Sequence, residues 1–117
     1  MEDLIRRLAL NDERAVAAVL TPSAPGSTGL PEKLDAKTEA LVRLGAVLAS
    51  NGTTASCRLS AEQARRAGAT DPEMIGVLVA VGPAIGMAKL VGVARRLALA
   101  IDVELAGDPE TEDPGSW

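Results

Sequence analysis

The residues able to do chemistry in this chain gather on Cys57-Arg58-Leu59-Ser60 and, further upstream, on Glu39 and Arg43. A thiol attacks only as its thiolate, and the start of a helix lowers a cysteine's pKa. The same residue buried among aliphatics is a small packing group. Ser60 can hydrogen-bond a ligand or its own helix backbone. It cannot act as a general base near neutral pH, where a hydroxyl does not titrate. Glu39 and Arg43 stand four apart, so a helix presents carboxylate and guanidinium together, either to a small molecule or to each other on a solvated face. Arg58, with Arg65 and Arg66 beyond it, can line an entrance for an anionic substrate or simply coat an exposed helix. The candidate catalytic residues are therefore Ser60, Glu39 and Cys57, and the candidate substrate-binding residues are Arg43 and Arg58.

Composition excludes much else. The chain has no histidine and one cysteine, so one subunit cannot supply imidazole, a thiol pair or a His/Cys metal cage. No metal and no cofactor is expected. Gly82-Pro83-Ala84-Ile85-Gly86 lacks the preceding strand and the basic residue of a phosphate-binding loop. No dense Lys/Arg cluster interleaved with aromatics marks a nucleic-acid surface, and no nucleic-acid partner is expected. The longest charge-free run, Met74 to Ala88, is 15 residues. A membrane-spanning helix needs about 20, so no membrane partner is expected. Without a secretory leader pattern at the N-terminus, and with a lone cysteine, the sequence predicts a cytoplasmic protein.

These residues need elements to hold them. At 117 residues the chain fits one helical domain over 1–106, followed by an acidic tail at 107–117 with the composition of disorder. Six of the 16 acids follow the last basic residue, Arg96, leaving ten acids against twelve bases before them. Helices are predicted over 2–9 and 12–20 with Asn11 as the cap between them. Thr21 to Gly29 reads as a Pro/Gly/Ser loop. Asp35 caps a helix to about Ala49, whose Leu34, Leu41, Leu44 and Leu48 share a side and which Asn51-Gly52 stops. A polar helix follows from about Ala55 to Ala67, closed by Gly68. Thr70-Asp71-Pro72-Glu73 is a capping box with proline in the first turn, opening a helix from Pro72 to Val81. A last helix is predicted over Ala84 to Val103. These last two are apolar nearly all round, more than a small monomer readily hides. A homo-oligomer is expected, built on them with Gly82, Gly86 and Gly92 admitting close backbone approach.

The succession Leu34 to Leu44, a polar helix ending Ala67-Gly68-Ala69-Thr70, then Pro72-Glu73-Met74-Ile75 and an apolar helix resembles the carboxymuconolactone decarboxylase family, which includes the alkylhydroperoxidase D proteins. The likeness covers about residues 30–104, and Ala-Gly-Ala-Thr-x-Pro-Glu is its most specific part. It implies an all-α, alkylhydroperoxidase D-like fold of about five to six helices that assembles as a homotrimer or homohexamer. In the peroxidase branch, Cys-x-x-Cys followed four residues later by His cycles between dithiol and disulfide. Counted back from Gly68, those positions fall on Thr53, Ser56 and Ser60, so the motif is missing and the active site is degenerate. Cys57 lies one residue beyond the second thiol position, about 100° round the helix. The decarboxylase branch keeps a histidine suited to proton transfer, and its acid in the preceding helix falls near Ala40 or Leu41, beside Glu39.

The resemblance thus implies a family member without thiol peroxidase machinery, binding or acting on a small organic acid or lactone between the helices of Glu39 and Ser60. If active, it is a cofactor-independent decarboxylase or lyase. The other reading is a non-catalytic structural or partner-binding homo-oligomer whose acidic tail recruits a basic partner.

Overall fold

A computed structural model describes residues 2–21 and 34–103. The Pro/Gly/Ser stretch after Thr21 and the acidic tail predicted at 107–117 lie outside them. The described residues form six α-helices and no strand, so the protein is all-α. The chain divides into two compact units, Met1–Leu34 and Asp35–Trp117.

The first unit holds α1 (Glu2–Ala9) and α2 (Glu13–Leu20). Asn11 does not cap α2. Asp12 does, its carboxylate accepting from the Arg14 and Ala15 N–H at 2.9 and 3.2 Å. Asn11 instead takes a left-handed backbone, φ 59°. The Asn11 N–H then bonds the Leu8 carbonyl and the Asp12 N–H bonds the Arg7 carbonyl, at 3.0 and 2.9 Å. This Schellman pattern closes the preceding helix. Asparagine suits both roles because its short amide tolerates αL and also caps, so the residue type alone did not assign the side of the boundary.

The second unit packs four helices: α3 (Ala36–Ala49), α4 (Thr54–Arg66), α5 (Asp71–Ile85) and α6 (Met87–Ala100). α3 lies against α4 and α5, and α6 closes the ring against α4 and α5. Asp35, Thr53 and Thr70 cap the first three helices. Thr70 and Glu73 complete the capping box in both directions. The shared core takes Leu44 and Leu48 from α3, Cys57, Ala61 and Ala64 from α4, Met74 from α5, and Val93 and Leu97 from α6. Leu41 is partly buried against it, whereas Leu34, expected on the same side, is exposed. One close approach depends on a glycine that the sequence pattern did not single out. A Cβ on Gly45 would stand 3.2 Å from Val77 Cγ1 and 3.4 Å from Val81 Cγ2, so its absence lets α3 and α5 come together.

The predicted break at Gly82-Pro83 is displaced. α5 runs through Pro83 to Ile85, and Gly86, at φ 82°, is the whole joint to α6. Proline usually disfavours helix at the residue before it through contact with that residue's Cβ. Gly82 has none. Pro83 also lies within the last turn, where only one intrahelical donor is forfeited.

Candidate functional site

The N-terminal half of α4 carries the candidate chemistry, and its local chain explains where each group points. Thr53 accepts the Ser56 N–H at 3.1 Å and donates its hydroxyl to Ser56 Oγ, also at 3.1 Å. The two positions that the resemblance gives to redox thiols therefore form the N-terminal cap of the helix. The fourth residue of that turn, Cys57, faces inward and is 1% exposed. Burial raises its thiol's pKa, opposed by the nearby Arg96 charge, so the thiol form is favoured. Ser60, three residues on along the same face, is also buried. No fully buried side-chain nitrogen or oxygen among the described residues is left without a hydrogen-bond partner, so the position offers no orphaned polar group for a ligand to satisfy.

The remaining candidates point elsewhere. Arg58 crosses to the end of α6, donating from Nη2 to the Leu99 carbonyl at 3.3 Å. Glu39 and Arg43 bond each other along α3, so the carboxylate and guanidinium are matched within one helix. No ion pair or hydrogen bond among the described residues joins Glu39 or Arg43 to Cys57, Ser60 or Arg58. The five candidates form three separate arrangements: an inward thiol and hydroxyl, an arginine on a helix end, and an outward ion pair.

Two open apolar grooves lie elsewhere on this unit, neither lined by any of the five candidates or by a residue of α4. One, of about 650 Å³, lies on α5 and α6 and is lined by Leu78, Val79, Gly82, Pro83, Gly86, Met87, Leu90 and Ala94. The other, of about 480 Å³, runs between α3 and α5 along Thr38, Leu41, Val42, Gly45, Ala46, Val77, Ala80 and Val81. Thr38, the one hydroxyl there, already donates to Asp35 at 2.6 Å.

No protein-family model, curated protein or solved structure matches this chain. Among the described residues no group of three or more His, Cys, Asp or Glu is placed to hold a metal ion, and no helix is long and apolar enough to cross a membrane.

One polar cluster escaped the sequence reading. Lys37 Nζ reaches Glu73 Oε2 at 2.8 Å, tying the first turn of α3 to that of α5. The Lys37 ion pair, then the Thr70 N–H, hold the Glu73 carboxyl below its ordinary value, and the same pairing raises Lys37. The capping box was visible as a spacing. Lys37, 36 positions before Glu73, carried no signal that would connect them.

Proposed function

We propose that this chain is a carboxymuconolactone decarboxylase-like protein that has lost the family's thiol peroxidase chemistry and works as a homo-oligomer, a trimer or hexamer, in the cytoplasm. Copies meet through the outer face of α5 and α6. The observation that carries this reading is the apolar surface of those helices, where Val79, Met87 and Val91 are 70%, 83% and 65% exposed. Isolated exposed apolar residues are ordinary, but a contiguous stripe marks a contact surface. The glycines support it. A Cβ on Gly76 or Gly92 would meet nothing within 4 Å, so neither is required by packing in its own chain. Each lowers helix stability by about 1 kcal/mol relative to alanine. A second backbone coming close is a physical reason to keep them. Sedimentation equilibrium tests this: the wild type should exceed monomer mass at micromolar concentration, and Val79→Glu with Met87→Glu should return it to monomer. A wild-type monomer at that concentration removes the proposal.

The loss of peroxidase chemistry is supported by the Thr53–Ser56 cap and the buried Cys57. In the assembled form a small organic acid or lactone is the ligand class that the resemblance suggests, taken up without a cofactor. The competing non-catalytic reading is favoured by one observation, that Glu39 is already matched by Arg43. A thermal-shift series with lactone acids separates the two. A concentration-dependent rise abolished by Ser60→Val supports ligand binding at α4, and an unchanged melting curve leaves the structural oligomer.

A further inference from the structure

Two demands of the joint between α3 and α4 fall on adjacent residues. Asn51 follows Ser50, the C-cap of α3, and takes the left-handed backbone, φ 60°. Asparagine tolerates that conformation better than most side chains. Gly52 comes next, and its N–H bonds the Val47 carbonyl at 3.0 Å, the bond that closes the helix end. A Cβ at Gly52 would stand 2.5 Å from Val47 Cγ1 and 3.0 Å from Val47 O, so any other residue there forces Val47 aside. The fold thus selects the pair Asn-Gly, and it leaves Asn51 exposed.

That pair carries chemistry of its own. The Gly52 backbone nitrogen, once deprotonated, attacks Asn51 Cγ and closes a succinimide ring. The Cγ–Nδ2 bond breaks, and the amide nitrogen takes up a proton and leaves as ammonia. Glycine hinders the approach least because it has no Cβ. Water then opens the ring. Addition at Cγ restores the main chain and leaves aspartate. Addition at the backbone carbonyl leaves Gly52 joined through Cγ, an isoaspartate whose main chain is longer by an atom. Water is the sole co-reactant, exchanged for ammonia. In the folded chain the attacking nitrogen's proton is committed to Val47 O, so the closure must open first. Asn11 offers an internal comparison. It has nearly the same backbone, φ 59°, but is followed by Asp12, whose side chain obstructs the nitrogen.

We propose that Asn51 is a site of spontaneous deamidation and isoaspartate formation, gated by the bond from Gly52 to Val47. Either product puts a carboxylate at the negative end of the α3 dipole. The isoaspartate also lengthens the joint between α3 and α4, so the Gly52 N–H loses its place on Val47 O. The inference depends neither on the family reading nor on the oligomer.

Full-length protein, incubated at mildly alkaline pH and then digested with trypsin, yields the peptide 44–58 between the cleavage sites at Arg43 and Arg58. Mass spectrometry should show in that peptide the gain that accompanies exchange of an amide nitrogen for a hydroxyl oxygen, divided between aspartate and isoaspartate forms. Asn11 should stay unconverted over the same period. The native rate should lie about tenfold below the rate in urea, because closures at helix ends open at the low end of the free-energy range. Asn51→Gly keeps the left-handed conformation and should abolish the conversion with circular dichroism unchanged. Native protein that stays unconverted while the urea-unfolded chain converts overturns the proposal. Equal rates in the two states overturn it by removing the gate. A mass gain in that peptide that persists in Asn51→Gly, or conversion of Asn11 as fast as that of Asn51, overturns it as well.

Discussion

Cys57 shows how one residue's register decides its chemistry. It sits on the inward face of α4, 1% exposed, with its thiol's pKa raised by burial. A thiol must ionise and be reached before it reacts. Alkylation of the native protein should therefore be slower than in urea by orders of magnitude, with a rate that follows opening of the fold. Rapid native labelling in a stopped-flow or mass-spectrometric assay would contradict the burial. The Lys37–Glu73 pair makes a second residue-scale prediction. Asp35, bonded chiefly by the Thr38 hydroxyl, and Glu73, paired with Lys37, both titrate below their ordinary values of 3.8 and 4.5. Their contribution is present above those values and is lost as pH falls through the lowered ones. Lys37 titrates above its ordinary 10.5, so its contribution is present below that value and is lost as pH rises through the raised one. Urea midpoints should be flat between 4.5 and 10.5 as far as these groups govern them. Glu73→Gln should soften both edges, because it removes the lowered carboxyl at the acid edge and the partner that raises Lys37 at the alkaline one; the change should be small because the pair is solvent-facing. At this scale the sequence shows residue types and local spacings. It does not show Lys37 meeting Glu73, which depends on how two helices lie side by side.

Helix starts were more legible than helix ends. Asp35 and Thr70 cap through side chains that accept a local N–H, and both were legible by residue type, whereas Thr53 caps α4 in the same way without having been singled out. Ends are set by backbone conformation. Asn11, Asn51, Gly68 and Asp102 each adopt positive φ just past a helix, and only glycine advertises that capacity openly. Gly68 was accordingly read as a helix end, whereas Asn11 was placed on the wrong side of its boundary. The break expected at Gly82-Pro83 moved to Gly86 for the same reason, since the dihedral outweighed the residue pair that usually signals a stop. Asp102 is the least comfortable of these closures. It carries a Cβ in αL, and its negative charge lies at the negative end of the α6 dipole. Asp102→Gly should therefore raise unfolding free energy by about 1 kcal/mol, read from a urea titration with unchanged slope.

For the whole molecule, the surplus of apolar helix surface was legible from two segments lacking a polar face, and it survives folding as the exposed stripe of α5 and α6. The grooves there were not legible, because they arise from the angle between helices. Gly92→Ala should separate fold from assembly. It should stabilise the isolated helical unit by about 0.5–1 kcal/mol, while weakening the proposed self-association if a second backbone approaches there. Thermal melts at high dilution and sedimentation at high concentration would then move in opposite directions, and parallel movement would remove the close-approach argument. The angle itself hangs on Gly86. Gly86 N–H bonds Gly82 O at 3.1 Å, and Gly86 O accepts from Leu90 N–H at 3.0 Å, so the two helices share this residue with no loop between them. One inserted residue would turn α6 about 100° against α5, carrying Val93 and Leu97 out of the core. Descendants of this chain should thus drift in composition on both sides of Gly86 yet keep their length across it, making the distance from Thr70 to Ala100 a steadier mark of ancestry than the residues in between.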